Sequence, residues 1–213
     1  MVSNLMEQST LKRLSCPVCY RAQTACICQW VKPIENEIEV LILQHPLEVA
    51  QAKGTARLLH LCLANSTMLT GEVFEAALFN TNKYSVLLYP ATTPDPSLGL
   101  IEAPALEPQQ LLNPKQVRLV VIDGTWRKSR KMLYLNPALQ KMPRFAVSNL
   151  PPSKYLIRKA QQAHQLSTLE ATCYGLTQIN AGSVGIVVST KIYEPLITAL
   201  NGFVGQQLEW RGS

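Results

Sequence analysis

The sequence lacks any apolar run that approaches the about 18 residues needed to cross a bilayer. Residues 1–15 also lack the long apolar stretch of a secretory signal. These absences predict a soluble, cytoplasmic protein with no membrane contact, and no feature implies a stable protein partner. Thiols stay reduced in the cytoplasm, so the six cysteines need an explanation other than disulfides.

Acidic residues are missing from a long interval in the second half of the chain. No Asp or Glu occurs between Gly124 and Leu169, whereas basic residues recur there. They are Arg127, Lys128, Arg130, Lys131, Lys141, Arg144, Lys154, Arg158 and Lys159. Such a field favours a polyanionic partner, with nucleic acid first and an anionic membrane second. The alternative is a solvated basic face without a partner.

Four cysteines are crowded into residues 16–28 with the spacing C-x2-C-x6-C-x-C. Six intervening residues are enough for the second pair to fold back onto the first, as tetrahedral zinc coordination requires. The pattern therefore predicts a structural zinc site held by Cys16, Cys19, Cys26 and Cys28. Free buried cysteines are the alternative, and that is how we interpret Cys62 and Cys173. We expect a lead-in over residues 1–15, a cysteine-rich segment over 16–33 and a main domain over 34–213.

Buried strands alternate with helical patterns along the main domain. Short β-branched and aliphatic runs predict strands at residues 37–46, 84–90, 117–122 and 144–148. Helix spacing appears at residues 53–65, 125–135 and 167–180. Residues 66–69 are predicted as a further strand or turn, and residues 74–79 as a short helix. From residue 183 onward the pattern is open: residues 185–193 fit a strand, but helix spacing from residue 192 to 204 favours a helix over most of the segment. Pro-rich residues 91–108 are a predicted loop, and residues 149–165 are predicted as a loop or a loop with a short helix. Strands separated by helices predict an α/β fold with a mostly parallel sheet.

Asp123 closes the third predicted strand and is followed by Gly124. Ligands of open α/β sheets bind at the carboxyl ends of strands, so a functional acid is expected at this position. An Asp that only caps the following helix is the alternative. Trp126 is likewise open to interpretation as a pocket wall or as plain core.

These residues resemble the motifs of the DTW-domain family, named for a D-T-W motif that is similar to Asp123-Gly-Thr-Trp126. Similar blocks occur in the same order over residues 16–180: the cysteine pairs, H-P-L-E at 45–48, K-G-T-A-R at 53–57, L-Y-P at 88–90, S-K-Y at 153–155, L-I-R-K at 156–159 and L-S-T-L-E-A at 166–171. Several separated motifs in one order are more specific than one four-letter match.

The resemblance implies a tRNA-uridine aminocarboxypropyltransferase with a SPOUT-like, knotted α/β fold. Such an enzyme moves the 3-amino-3-carboxypropyl group of S-adenosylmethionine to uridine N3 and releases methylthioadenosine. The implied catalytic residues are Asp123 and Trp126. The implied cofactor-binding residues are Leu88, Tyr89, Pro90, Gly124, Thr125, Thr168, Leu169 and Glu170. On spacing alone, Glu170 is equally interpreted as the capping-box partner of Ser167, and His45 and Glu48 are candidates for the pocket rim.

Basic and aromatic residues predict where tRNA would bind. Arg127, Arg130 and Lys131 are spaced to share one helix face, and Tyr155 precedes two further cations. The full predicted set is Arg57, Arg127, Arg130, Lys131, Arg144, Tyr155, Arg158 and Lys159. Two other functions stay open at this point: a SPOUT-like S-adenosylmethionine-dependent RNA methyltransferase, and a noncatalytic zinc-ribbon RNA-binding module.

Overall fold

The computed structural model describes residues 14–148, 153, 166–184 and 190–212. The strands within these residues are β1 (Glu39–Gln44), β2 (Ser66–Thr70), β3 (Tyr84–Leu88), β4 (Val117–Asp123) and β5 (Arg144–Phe145). The α-helices are α1 (Ala56–Cys62), α2 (Trp126–Leu135), α3 (Pro137–Gln140), α4 (Thr168–Val184) and α5 (Glu194–Gly212). None of the described helices combines the length and apolarity that a membrane span requires.

The five strands form one parallel sheet in the order β2-β1-β4-β3-β5. This confirms the predicted α/β class and parallel sheet. Strand β4 lies between β1 and β3. The two strands with the longest apolar runs, β1 and β4, are therefore neighbours inside the sheet. The register pairs Gln44 with Asp123 and thereby brings two polar side chains to the same edge.

Alternate side chains of the sheet pack into two separate cores. On one face Val40, Ile42 and Val121 pack with residues of α1, α4 and α5. On the other face Leu41, Leu43 and Val120 pack with residues of α2 and α3. Burial of each such side chain stabilises the fold by about 1.5–3 kcal/mol, so helices are held on both faces of the sheet.

Several element bounds differ from the predicted ones. Helix α1 begins at Ala56 rather than at residue 53, because the preceding residues form a turn in which the Gly54 N–H donates to the Gln51 carbonyl. It ends at Cys62 because Leu63 becomes extended and pairs with Ile34, whose carbonyl accepts from the Ala64 N–H at 3.1 Å. The segment predicted as a helix at 74–79 has one 3-10 turn, Ala76–Phe79, and the strand predicted at 144–148 is reduced to β5. The predicted loop at 149–165 lies outside the described residues apart from Ser153.

The cysteine-rich segment packs on the body of the fold and on α5. Cys16, Cys19 and Ile27 belong to the same buried cluster as α1, α4 and α5. The Trp30 ring packs against Gly202 of α5, where an added Cβ would come within 2.1 Å of the indole. The Trp30 indole N–H also donates to Gln206 Oε1 at 2.7 Å. Glycine is therefore required at position 202 by the close approach of the segment.

Candidate functional site

The site lies where β1 and β4 end side by side. The helix that follows β1, α1, covers one face of the sheet, and the helix that follows β4, α2, covers the other. Adjacent parallel strands whose connections leave to opposite faces create a crevice at their carboxyl ends. A cavity of about 220 Å³ opens there, lined among others by Glu48, Lys53, Gly54, Asp123, Ser167 and Thr168.

The carboxylate of Asp123 is held in one orientation inside this cavity. Its side chain belongs to a residue that is 5% exposed. Gln44 Nε2 donates to Oδ2 at 2.9 Å, and Thr168 Oγ1 donates to Oδ1 at 2.6 Å. These two donors come from β1 and from the start of α4. Strands β1 and β4 and helix α4, which are distant in sequence, together set the orientation of the Asp123 carboxylate.

Asp123 does not cap the helix that follows it. The N-cap of α2 is Thr125, whose Oγ1 accepts from the Lys128 N–H at 3.5 Å. The backbone carbonyl of Asp123 accepts from the His45 N–H at 2.9 Å and extends the β1–β4 pairing by one step. The capping alternative is thus wrong, and the side chain of Asp123 is committed to the cavity.

Gly124 lets the start of α2 approach the end of β1. A Cβ at this position would lie 3.2 Å from Lys128 Cβ and 3.7 Å from His45 Cβ. Across this narrow gap the Lys128 ammonium forms an ion pair with Glu48 at 2.7 Å, and both side chains are mostly buried. A charged pair therefore borders the cavity beside Asp123.

His45 connects β1 to a second charged group. Its Nδ1 accepts from the Leu47 N–H at 3.1 Å, which leaves Nε2 to donate to Glu72 Oε1 at 2.7 Å. Glu72 also accepts from the Lys131 ammonium at 2.6 Å. The hydrogen bond from Lys131, with a smaller contribution from His45, lowers the pKa of Glu72. Lys131 is thus engaged with an acid of its own chain.

The first turn of α4 is built by the predicted capping box. The Glu170 N–H donates to Ser167 Oγ at 3.2 Å, and the Ser167 N–H donates to Glu170 Oε2 at 2.8 Å. Ser153 Oγ lies 2.9 and 3.0 Å from the two carboxylate oxygens of Glu170, which is fully buried. The capping interpretation of Glu170 is confirmed. Leu169, predicted beside the cofactor, has a buried side chain and donates its N–H to Thr55 Oγ1 at 3.2 Å.

Trp126 and Tyr89 form a stacked pair outside the residues that line the cavity. Their ring centroids are 5.2 Å apart and their planes differ by 13°. Trp126 is 54% exposed, so the plain-core alternative for it is wrong. Tyr89 is held from behind by Ser129, with 3.1 Å between the two hydroxyl oxygens, and burial raises the pKa of Tyr89. Of its neighbours in the L-Y-P block, Leu88 is half-buried and Pro90 is exposed.

The structure divides the predicted RNA-binding cations into two groups. Arg57 donates to the Val18 carbonyl and lies over the Tyr20 ring, 4.4 Å from its centroid. Arg144 donates to the Leu139 and Met142 carbonyls at 2.8 Å, and burial lowers its pKa. Both guanidinium groups therefore bind their own chain.

On α2, the side chains of Arg127 and Arg130 are exposed. Arg130 folds back onto Tyr134, with its Nε 3.1 Å from the phenol oxygen, whereas Lys131 pairs with Glu72. The shared basic face predicted for α2 is thus partly neutralised within the molecule. Tyr155, Arg158 and Lys159 lie outside the described residues.

The four predicted metal ligands converge. The sulfur atoms of Cys16, Cys19, Cys26 and Cys28 all lie within 4.8 Å of one another. The Cys16–Cys28 and Cys19–Cys26 sulfur distances are 3.6 and 3.8 Å. Zinc bound tetrahedrally at about 2.3 Å from each sulfur requires sulfur–sulfur distances of about 3.8 Å. The geometry therefore fits a four-thiolate zinc site.

The thiols of this cluster differ in their acidity. Hydrogen bonds from the backbone N–H groups of Cys19 and Val18 lower the pKa of Cys16 to about 6. Burial, followed by the neighbouring thiols, raises the pKa of Cys28 to about 12. The Cys16 thiolate is thus stabilised by the protein alone, and a divalent cation is the charge that would hold Cys28 as a thiolate.

Sequence reasoning missed several residues of the site. Gln44, Lys53 and Ser167 contact or line the cavity, and Lys128 and Glu72 complete the ion pairs beside it. The position of Gln44 could have been predicted to matter. It is the last residue of β1, as Asp123 is the last residue of β4, and neighbouring parallel strands end at the same edge of a sheet. Glu72 and Lys128 carried none, because their partners are known only from the three-dimensional packing.

Comparison with known proteins identifies the family. The family model described as the DTW domain matches residues 13–208 of the chain. The chain belongs to the DTW-domain family. It is 27% identical over 209 residues to a mouse protein named tRNA-uridine aminocarboxypropyltransferase 2 and 25% identical over 209 residues to its namesake in Macaca fascicularis.

These matches cover 93% of this chain and 65% of each relative, so the chain spans about two thirds of their length. An Arabidopsis thaliana protein named tRNA-uridine aminocarboxypropyltransferase A is 26% identical over 134 residues, which is 57% of this chain and 51% of that protein. No solved structure matches the chain.

Proposed function

We propose that this DTW-domain protein transfers the 3-amino-3-carboxypropyl group of S-adenosylmethionine to N3 of a tRNA uridine and releases methylthioadenosine. Support comes from the family match and from the names of its relatives, which share about a quarter of their residues with it. The observation that carries the proposal is the oriented carboxylate of Asp123 in the crevice between β1 and β4.

The proposed step is a displacement at the γ-carbon of the donor. A bond forms between uridine N3 and the γ-carbon while the bond from that carbon to the sulfonium sulfur breaks, and the electron pair leaves as the neutral thioether of methylthioadenosine. The N3 proton passes to the Asp123 carboxylate and then to solvent. A positioned base of this kind contributes about 10²–10⁴-fold to a rate, and the rest of the task is alignment of the two reactants.

We assign the amino-acid end of the donor to the cavity around Asp123. Lys53 lines this cavity with a positive charge, which suits the carboxylate of the methionine part. Glu48, which pairs with Lys128, also lines it and offers an acceptor for the ammonium. Gly124, Thr125 and Thr168 would lie along it, and Leu88, Tyr89 and Pro90 follow the neighbouring strand end. Leu169 and Glu170 would act through the backbone and through the capping box that places Thr168.

The exposed face of Trp126 is assigned to the RNA. Because Tyr89 already covers its other face, the indole is held flat and ready to stack on a base. Stacking on an aromatic side chain stabilises a bound base by about 1–3 kcal/mol. We propose that the exposed Arg127 beside it contacts a phosphate. We also propose that Tyr155 holds an unstacked base and that Arg158 and Lys159 bind its backbone.

Three further features belong to the same proposal. We propose a SPOUT-type fold with a knot, and the five-stranded parallel sheet supports this proposal. We propose zinc as a structural metal that folds the cysteine-rich segment and supplies no chemistry at Asp123. The cytoplasm is the compartment in which such a tRNA-modifying enzyme would act.

The test is incubation of the purified protein with unmodified tRNA and S-adenosylmethionine, followed by nucleoside mass spectrometry. We expect one uridine to gain an aminocarboxypropyl group, with one methylthioadenosine released per modified residue. A methylated nucleoside would instead support the SPOUT-like methyltransferase. Tight tRNA binding without consumption of S-adenosylmethionine would support the noncatalytic RNA-binding module.

A further inference from the structure

Arg21 links the cysteine-rich segment to the wall of the cavity. It lies between the two cysteine pairs, after Cys19 and before Cys26. Its Nη1 donates to the Ala52 carbonyl at 2.5 Å and its Nη2 donates to the Gly54 carbonyl at 2.7 Å. The residues around these two carbonyls, Gln51, Lys53, Gly54 and Thr55, line the cavity that contains Asp123.

The same wall is connected to the carboxylate of Asp123. Thr55 Oγ1 accepts from the Leu169 N–H at 3.2 Å and so fixes the first turn of α4. The preceding residue, Thr168, donates to Asp123 Oδ1 at 2.6 Å. A continuous series of hydrogen bonds and adjacent residues thus runs from Arg21 through Thr55 and Thr168 to Asp123.

We propose that Arg21 is a positioning residue, through which the folded cysteine-rich segment sets the geometry of the cavity. The forked guanidinium is suited to this role because it donates to two carbonyls at once, which a lysine ammonium cannot do with the same geometry. Its own position is defined from the other side, because it lies over the Phe203 ring of α5, 5.1 Å from the centroid. Metal binding by the four cysteines would close the loop that carries Arg21 and so prepare the cavity wall.

The segment has a second attachment that allows this role to be separated from simple stability. Gln206 of α5 accepts from the Trp30 indole and donates to the Cys26 carbonyl at 3.1 Å. Neither contact touches the cavity-lining residues. Replacement of Gln206 should therefore loosen the segment without the loss of its contact to the wall, and Gln206→Leu is the matched control for Arg21→Ala.

The primary experiment is hydrogen–deuterium exchange of the metal-loaded protein without substrate. We expect Arg21→Ala to speed exchange about tenfold in residues 51–56 and 167–171, because two hydrogen bonds to the wall are lost. Zinc content should stay that of the unmodified protein. Gln206→Leu should lower the melting temperature and leave exchange in these two segments unchanged. Equal exchange in Arg21→Ala and the unmodified protein would overturn the proposal.

Arg21→Lys covers the case in which the alanine variant fails to fold. It retains the charge and loses the fork, so a severalfold increase in exchange of the same two segments is expected, and no increase counts against the proposal. The assignment to a particular reaction rests on the proposed function, for which Arg21→Lys should raise KM for S-adenosylmethionine. Faster exchange combined with no transfer by the unmodified protein would uphold the structural role of Arg21 and overturn the proposed function.

Discussion

The cysteine-rich segment and the cavity at Asp123 are assembled in opposite ways. Four ligands from residues 16–28 converge within a short stretch of chain, whereas the Asp123 carboxylate meets donors from residues 44 and 168. Closing a short loop costs little conformational entropy, and a bound ion can organise it with few other contacts. The cavity instead depends on strand register and on helix packing. One region is therefore suited to organisation by a bound ion, whereas the other depends on the fold.

Loss of the proposed zinc site should have the largest effect on the cysteine-rich segment. The double substitution Cys16→Ser with Cys28→Ser should abolish zinc binding and lower the melting temperature by more than about 10 °C, because a structural zinc site contributes about 10–16 kcal/mol to the folding of small domains. Metal analysis and thermal unfolding measure both effects. Cys173→Ala, which alters a cysteine outside the cluster, is the control, and unchanged zinc in the double variant would contradict the four-thiolate site.

The matching change in the cavity is Asp123→Asn. It retains shape and removes the base, so kcat/KM for tRNA modification should fall by about 10²–10⁴-fold. The melting temperature should change little in comparison with the loss of the metal. Asp95→Asn, at a carboxylate that lines no part of this cavity, is expected to be fully active. Full activity of Asp123→Asn would remove the proposed mechanism.

Two glycines of α5 test how the segment is held on the fold. Gly202→Ala should destabilise the protein by about 1–3 kcal/mol, because the new methyl group would displace the Trp30 ring. Gly205→Ala has open space around its Cβ and should stabilise the same helix by about 0.5–1 kcal/mol. Urea unfolding measures both values. A stabilising effect of Gly202→Ala would show that contact with Trp30 does not constrain α5.

Gln44→Leu tests the orientation of the Asp123 carboxylate apart from its charge. Loss of the hydrogen bond from the amide should reduce kcat by about 10- to 100-fold, since a hydrogen bond to a charged group contributes about 1.5–3 kcal/mol. Steady-state kinetics measure the change. A kcat equal to that of the unmodified protein would mean that Thr168 alone orients the acid.

Glu39, at the other end of β1, is expected to affect stability alone. Burial by itself raises the pKa of Glu39, but the hydrogen bonds and charges of Lys83 and Arg118 outweigh it, so its pKa in the folded protein is lowered. The ion pairs therefore stabilise the fold above about pH 4.5 and are lost as the pH falls through the lowered value. Urea unfolding at pH 7 and pH 3 should show that Glu39→Gln costs less than about 1 kcal/mol at pH 7 and less still at pH 3. An equal cost at both pH values would contradict this.

Local patterns predicted those parts of the molecule whose partners are close in sequence. The cysteine cluster and the capping box of Ser167 and Glu170 follow from spacing, and the position of Asp123 at a strand end follows from the apolar run before it. The start of helix α1 was predicted too early, because residues 51–54 form a turn and the carbonyls of Ala52 and Gly54 accept from Arg21, more than thirty residues earlier.

Charge alone did not predict the role of each cation. The guanidinium groups of Arg57 and Arg144 satisfy backbone carbonyls, and Lys131 pairs with Glu72, a partner 59 residues away. A count of basic residues along the chain describes the field of the protein and cannot tell which side chains it has already neutralised. Only the fold brings these partners into contact.

The contact between Trp30 and α5 has a consequence for the order of events during synthesis. The indole meets Gln206, a residue that leaves the ribosome 176 positions later. Until then the cysteine-rich segment has neither that hydrogen bond nor the surface of α5 to pack on. All four candidate metal ligands lie in residues 16–28, so metal binding by this segment would not require any later part of the chain. The segment could therefore fold around a metal ion before α5 has been synthesised.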